Sequence, residues 1–254
     1  MRGDRAAGRG QEKFLIIGHR GVPHLAPENT LRSFQMALAS GADGVELDVQ
    51  ITKDGVPIVF HDFTALRMCG NDNSISAMNF REVRDLRVAG SELIPTLKEV
   101  LELTSGSVVF AELKISADKD VTYKKNMCIR VREVIEASGV ASNVIITSFD
   151  HEALSLYRDI DRHQKIGIIY DRESMTFYLE HGIDQAAIID SYDVLVPEYT
   201  YHTVEALRVL SESGKTIFPW TVNDPSTAKI LRFNGVRGII TDFADIMQSS
   251  RTKS

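Results

Sequence analysis

The chain has 254 residues, of which 43% are hydrophobic and 25% charged, the proportions of a globular protein with a real core, so a disordered or fibrous chain is excluded. Lys and Arg total 29 against 35 Asp and Glu, a formal net charge of -6, which argues against a dedicated nucleic-acid binder but leaves room for a basic pocket around one phosphate. The two cysteines, Cys69 and Cys128, show no metal or redox spacing, so no disulfide framework is expected and the cytoplasm is the default location. No run approaches the roughly 18 apolar residues of a membrane span, so no stable membrane insertion is expected.

Residues 1–13 are polar and basic and read as a flexible tail; the apolar run Phe14–Ile17 is too short for a signal peptide. Phe14–Gly18 then reads as a strand and Asn29–Ser40 as a helix, with Leu31, Phe34 and Leu38 on one face and Gly41 as its stop. Gly44–Gln50 and Val56–Phe60 are strands joined through Lys53-Asp54-Gly55, where Asp-Gly signals a hairpin. Thr96–Leu103 is a helix opened by a Thr-x-x-Glu capping box, Val108–Lys114 a strand, and Val121–Ala137 a long helix ending before Gly139. Further strands are expected at Val144–Ser148, Lys165–Tyr170, Val194–Glu198, Thr216–Val222 and Gly238–Thr241. Helices are expected between them at His151–Ile160, Met175–His181, Val204–Ser213 and Pro225–Phe233.

Without the Val56–Phe60 hairpin arm, eight strands alternate with helices. That alternation implies a parallel sheet under a helical layer, and eight units imply closure into a single (β/α)8 TIM barrel over residues 14–248. The interval from Gly44 to Val108 is abnormally long. Its excess, Asp62–Ile94, carries turn residues and a short helix near Phe80–Leu86, and reads as a small insertion capping the barrel after the second strand.

Glu46 and Asp48 stand two apart in Gly44–Gln50 and therefore share one face of a strand, opposite Val45, Leu47 and Val49. In an antiparallel sheet that face would simply be solvated. In a parallel barrel neither face is, so the acids must end at the mouth, where active sites of this architecture sit. Glu112 and Lys114 repeat the spacing on the adjacent strand. Carboxylates about 4 Å apart repel by about 4 kcal/mol at an effective dielectric near 20, so three of them call for a cation, and an all-oxygen set suits Mg²⁺ or Ca²⁺. The alternative is charge balance by Arg20 and Lys114 with no metal. His19 and His61 each follow an apolar strand directly and fit an acid/base pair beside these acids. His24, His151, His163, His181 and His202 have no such setting.

His19-Arg20-Gly21, Pro27-Glu28-Asn29-Thr30, Gly41-Ala42-Asp43 with Glu46-x-Asp48, Thr52-Lys53-Asp54-Gly55, His61-Asp62 and Glu112-x-Lys114 occur in a fixed order. Ser148-Phe149, Pro219-Trp220-Thr221-Val222-Asn223 and Ile240-Thr241-Asp242 continue it. The ordered set, from Gly18 to Asp242, resembles the glycerophosphodiester phosphodiesterase family. The resemblance implies a metal-dependent barrel that hydrolyses glycerophosphodiesters to glycerol 3-phosphate and an alcohol. His19 and His61 match the family's acid/base histidines, and Glu46, Asp48 and Glu112 its ligands for one divalent cation. Arg20 and Lys114 match the phosphate-holding residues, Glu28 and Asn29 a segment lining the site, and Trp220 an aromatic packed against the organic part of the substrate. Val196-Pro197-Glu198-Tyr199 departs from the common pattern, and Glu198 reads either as a rim charge or as an acid that attracts a cationic head group. A lysophospholipase D type activity on lipid-bearing diesters and a non-catalytic phosphate-binding barrel are the competing readings. Neither the metal, the head group nor the oligomeric state is legible.

Overall fold

Apolar residues on both faces of successive short strands can be satisfied only by a sheet covered on one side by helices and closed on the other. The computed structural model describes residues 13–251 in that arrangement; the expected tail lies outside the described residues except for Lys13. The first half contains β1 (Leu15–His19), α1 (Leu31–Ala39), β2 (Gly44–Ile51), β3 (Pro57–Val59), α2 (Leu66–Cys69), α3 (Phe80–Asp85), α4 (Leu97–Leu103), β4 (Val108–Leu113) and α5 (Val121–Ser138). The second half begins with β5 (Val144–Ser148), α6 (His151–Ile160), β6 (Lys165–Tyr170), α7 (Arg172–Glu180) and α8 (Gln185–Asp190). It ends with β7 (Val194–Pro197), α9 (Val204–Glu212), β8 (Thr216–Ile217), α10 (Pro225–Phe233) and β9 (Gly238–Thr241).

The parallel strands run in the order β8-β7-β6-β5-β4-β2-β1-β9, and β3 pairs antiparallel with β2 as the expected hairpin arm. Between the two end strands, Arg237 N–H donates to Ile217 O at 3.1 Å, Ile240 to Pro219 at 3.0 Å and Val222 to Ile240 at 2.9 Å, which nearly closes the barrel. β8 is shorter than the expected Thr216–Val222 because Pro219 has no N–H to give to a ladder. Two helices also differ from expectation. α7 starts at Arg172, where Asp171 and Ser174 form a capping box, and α8 is too short to show a helical period in the sequence.

Alternation along the strands separates two layers. Val45, Leu47, Val49, Val109, Ala111 and Leu113 point outward into the main core beneath the helices. Ile17, Phe110, Ile145, Ile169, Val194, Val196, Phe218 and Ile240 fill the barrel interior as an apolar plug. Two residues beyond the plug on their strands come His19, Glu112, Glu198, Trp220 and Asp242, so the period of two that builds the plug also carries polar groups to its upper end. Between β3 and α4, α2, a tight turn at Ile75–Ala77 and α3 surround a third cluster formed by Ile58, Phe60, Ala65, Ile75, Met78, Val83, Val88 and Ile94. Both cysteines are free, and among the described residues no helix is long and apolar enough to cross a membrane.

Candidate active site

The C-terminal strand ends bring the two histidines and three acids together. The parallel register sets His19 of β1 beside Glu46 of β2, and Asp48 of β2 beside Glu112 of β4. Ligand atoms of Glu46, Asp48 and Glu112 all lie within 4.8 Å of one another, and all three residues are buried. Their charges are balanced unequally. Asp48 has Arg20 Nε at 3.3 Å and Lys114 Nζ at 3.5 Å, and accepts from Asn29 Nδ2 at 2.8 Å. Burial raises its carboxyl, but Lys114, Arg20 and His61 outweigh burial and hold it below the usual range. Glu112 has Lys114 Nζ at 3.0 Å; burial and Asp48 still raise it.

Among the described residues Glu46 has no lysine or arginine side chain paired with it. It accepts from the Arg20 backbone N–H at 3.1 Å and lies 3.9 Å from His19 Nε2. Burial, with Asp48 and Glu112 nearby, pushes its carboxyl up to about 8. Beside Glu112 in the register, Thr147 Oγ1 is buried and makes no hydrogen bond among the described residues. An all-oxygen donor set with surplus negative charge and an unpartnered oxygen beside it fits a hard divalent cation.

His19 Nδ1 bonds Asp242 Oδ1 at 2.7 Å, and His61 Nδ1 bonds Asp62 Oδ1 at 2.7 Å. Their environments differ. Burial pulls His19 down, but Asp242 and Glu46 outweigh it and hold the ring above its usual value. Burial also pulls His61 down, and there Lys114 and Arg20 add to it and outweigh Asp48 and Asp62.

The turn after β1 is under backbone constraint. Arg20 (φ 52°) and Asn29 (φ 57°) occupy the left-handed region, and Asn29 N–H donates to Arg20 O at 3.1 Å. Gly21 (φ 91°) follows, and a Cβ there would sit 2.2 Å from Ser33 Oγ, the hydroxyl that bonds Arg20 O. Arg20 Nη1 reaches Glu28 Oε1 at 2.9 Å, while its buried Nε, 3.3 Å from Asp48 Oδ2, makes no hydrogen bond of good geometry among the described residues.

Trp220 packs edge-on against Phe149 with centroids 5.7 Å apart and donates from Nε1 to Val196 O at 3.0 Å. Lys114 Nζ lies 6.0 Å from the centroid of that Phe149 ring. Glu198 accepts from Thr200 Oγ1 at 2.7 Å and makes no contact with the acids or histidines in the described residues.

Several supporting residues escaped the sequence reading. Gln50 continues the Glu46, Asp48 face, and its amide donates to the carbonyls of Phe60 at 2.8 Å, His61 at 3.3 Å and Asp62 at 2.9 Å, fixing the backbone that carries His61. Asn223 Nδ2 donates to Asp242 Oδ2 at 2.8 Å. Arg67 bridges Asp62 and Glu28. The i, i+2, i+4 spacing would have found Gln50; the other two need the fold. A cavity of about 940 Å³ opens at the opposite end of the barrel, among Leu15, Val108, Lys165, Val194 and Thr216, and contains none of these groups.

Residues 19–246 match the sequence model of the Glycerophosphoryl diester phosphodiesterase family. A protein of Caldanaerobacter subterraneus subsp. tengcongensis named glycerophosphodiester phosphodiesterase is 32% identical over 238 residues, 91% of this chain and 94% of that one. Among solved structures, the glycerophosphodiester phosphodiesterase of Thermotoga maritima is 30% identical with a TM-score of 0.76, covering 94% of this chain and 98% of that one. A phosphodiesterase of Oleispira antarctica, solved with the product sn-glycerol-3-phosphate, is 25% identical with a TM-score of 0.80, covering 94% and 96%.

Proposed function

Because the chain belongs to the glycerophosphoryl diester phosphodiesterase family, we propose that it hydrolyses small glycerophosphodiesters to glycerol 3-phosphate and an alcohol, using one divalent cation, Mg²⁺ or Ca²⁺. The observation that carries the reading is the buried cluster of Glu46, Asp48 and Glu112, in which Lys114 and Arg20 pair with Asp48 and Lys114 with Glu112, while Glu46 has only His19 at 3.9 Å. Glu46, Asp48 and Glu112 would hold the cation, which when bound supplies Lewis-acid stabilisation of the charge growing on the phosphoryl oxygens.

Arg20 and Lys114, both within 3.5 Å of Asp48, orient the diester and offset the same charge. Glu28 and Asn29 hold Arg20 and Asp48 in place. Trp220 and Phe149 offer an apolar wall to the organic part. The histidines divide the proton work by their environments. His61, held low, is neutral near pH 7 and takes the proton of the attacking oxygen. His19, held higher than His61, is the ring that better retains a proton and gives it to the departing alcohol. The lysophospholipase D type reading draws support from Phe63 and Leu66, exposed on the inserted segment that also carries Arg67.

The test is glycerol 3-phosphate release from choline, ethanolamine and glycerol diesters, and release of choline and lysophosphatidic acid from lysophosphatidylcholine, with Mg²⁺ and Ca²⁺ separately and after exhaustive chelation. Release from the small diesters with cation, and none after chelation, is expected. Undiminished turnover after chelation overturns the metal site, and release from the lysolipid alone selects the lipid reading.

A further inference from the structure

Arg67 sits on α2, in the inserted segment, and each nitrogen of its guanidinium donates. Nε and Nη2 reach the two oxygens of Asp62 at 2.6 and 2.9 Å. Nη1 and Nη2 reach the two oxygens of Glu28 at 3.1 and 2.6 Å. Both carboxylates are already committed to the site. Asp62 Oδ1 is the partner of His61 Nδ1 at 2.7 Å, and Glu28 Oε1 is the partner of Arg20 Nη1 at 2.9 Å. One planar cation therefore stands between the group that orients a histidine and the group that holds an arginine.

The backbone under Arg67 is fixed. Thr64 and Ser74 form an antiparallel bridge, Ala65 N–H donates to Asn73 O at 3.1 Å, and Ile75 N–H to Phe63 O at 3.0 Å. Ala65 is buried in the apolar cluster of the inserted segment, and Ala89 N–H donates to Met68 O at 2.9 Å. A half-exposed ion pair adds little to stability, so the consequence of this arrangement lies elsewhere. Two paired contacts in one plane fix the directions of both carboxylates, which a flexible point charge cannot do.

We propose that Arg67 is a positioning residue, clamping Asp62 to Glu28 and through them fixing the His61 ring and the Arg20 guanidinium. Its effect on turnover rests on the phosphodiesterase reading above; its effect on the His61 ring does not.

The experiment compares the full chain with Arg67→Ala, Arg67→Met and Arg67→Lys, by kinetics and by NMR of ¹⁵N-histidine-labelled protein. The ring signals are assigned by their loss in His61→Gln and His19→Gln. Turnover of the small diesters is expected to fall about 10–100-fold in Arg67→Ala and Arg67→Met, the usual scale for a lost outer partner. Arg67→Lys recovers only a small part of it, because an ammonium cannot pair with both carboxylates at once. The ring nitrogen signals of His61 shift in all three variants while those of His19, whose partner is Asp242, stay in place. Unshifted His61 signals, or an Arg67→Lys variant equal to the parent, overturn the proposal. If the parent turns over no diester, the functional reading fails, and the His61 spectrum still decides the clamp. Arg67→Met and Arg67→Lys keep the aliphatic stem and carry the comparison should Arg67→Ala not fold.

Discussion

The two sides of the barrel mouth present the same pair of atoms in different settings. Each histidine bonds an aspartate through Nδ1 at 2.7 Å. On the His19 side all the support belongs to the barrel: Asp242 follows β9, and neutral Asn223, after β8, donates to its second oxygen. On the His61 side the aspartate is the next residue in the chain and its second oxygen is held by a cation from the inserted segment. Burial lowers both rings and Arg20 adds to it on both; beyond the dyads, Glu46 raises His19, while on His61 the rise from Asp48 is opposed by Lys114 as well. One ring rises and the other falls. Identical dyads are thus driven toward opposite protonation states by their next neighbours, the arrangement that acid and base roles require.

Removing each ring should have the largest effect. His19→Ala and His61→Ala are each expected to lower turnover of a choline diester by about 10²–10⁴-fold. His19 ends β1 and His61 lies two residues past β3, both half-buried rather than filling the core, so melting temperatures should change little. With a nitrophenyl diester the departing group needs no proton, and only His19→Ala should regain most of its rate. Recovery of His61→Ala instead would exchange the two roles.

A smaller effect separates the supports. Activity should rise with pH through the His61 value, below 6.5, and fall again through the His19 value, above 6.5. Each aspartate raises its own histidine, so losing it lowers that ring. Asp62→Asn should move the acid limb to lower pH, and Asp242→Asn should move the basic limb to lower pH and narrow the plateau. Rate–pH profiles at saturating cation check this; one limb moving in both variants would mean that the dyads do not act separately.

Glu46 adds a dependence on the His19 side. Its folded carboxyl, near 8 against an ordinary 4.5, binds a proton more tightly than in the unfolded chain. The cation-free protein therefore loses stability as pH rises between about 4.5 and about 8. A cation needs the carboxylate, so it restores most where that loss is complete. At a hundredfold excess over Kd, binding adds about 2.7 kcal/mol, or about 5–10 °C in Tm for a domain of this size. That gain should be seen at pH 8 and be much smaller at pH 5, and Glu46→Gln should flatten the difference.

Much of this geometry was legible in the sequence because the period of a strand decides which side chains share a face. Glu46 and Asp48 on one strand face, Glu112 on the next strand, and His19 and His61 directly after apolar runs all follow from a spacing of two and a parallel register. Thr96 and Glu99 announced α4 by their capping box, and Asp54-Gly55 announced the β2–β3 hairpin. What stayed hidden depends on contacts distant in the chain. Asp242 lies 223 residues from His19, and Arg67 lies 39 from Glu28. No local pattern distinguishes Arg67 from the other arginines, and the short α8 is specified by its Asp184 cap rather than by a period.

The inserted segment offers the smallest effect and the one that bears on substrate range. Of its apolar side chains, Ile75, Met78 and Val83 are buried as anchors, and Met68, Phe80 and Leu86 are packed against them. Phe63 and Leu66 are not: they are 40% and 58% exposed on either side of the buried Ala65. They flank the clamp in the chain: Phe63 follows Asp62 and Leu66 precedes Arg67. Their partial exposure limits what they can give a leaving group to well under a full side-chain burial, so relative rates should shift by at most about tenfold. Phe63→Ser and Leu66→Ser leave the Arg67 contacts to Asp62 and Glu28 in place. Competition among choline, ethanolamine and glycerol diesters should therefore change its ranking or spread while the cation requirement and the pH limbs stay fixed. Unchanged preferences in folded variants would mean that the segment serves the site only through Arg67 and that head-group choice is made on the barrel side, around Trp220 and Glu198.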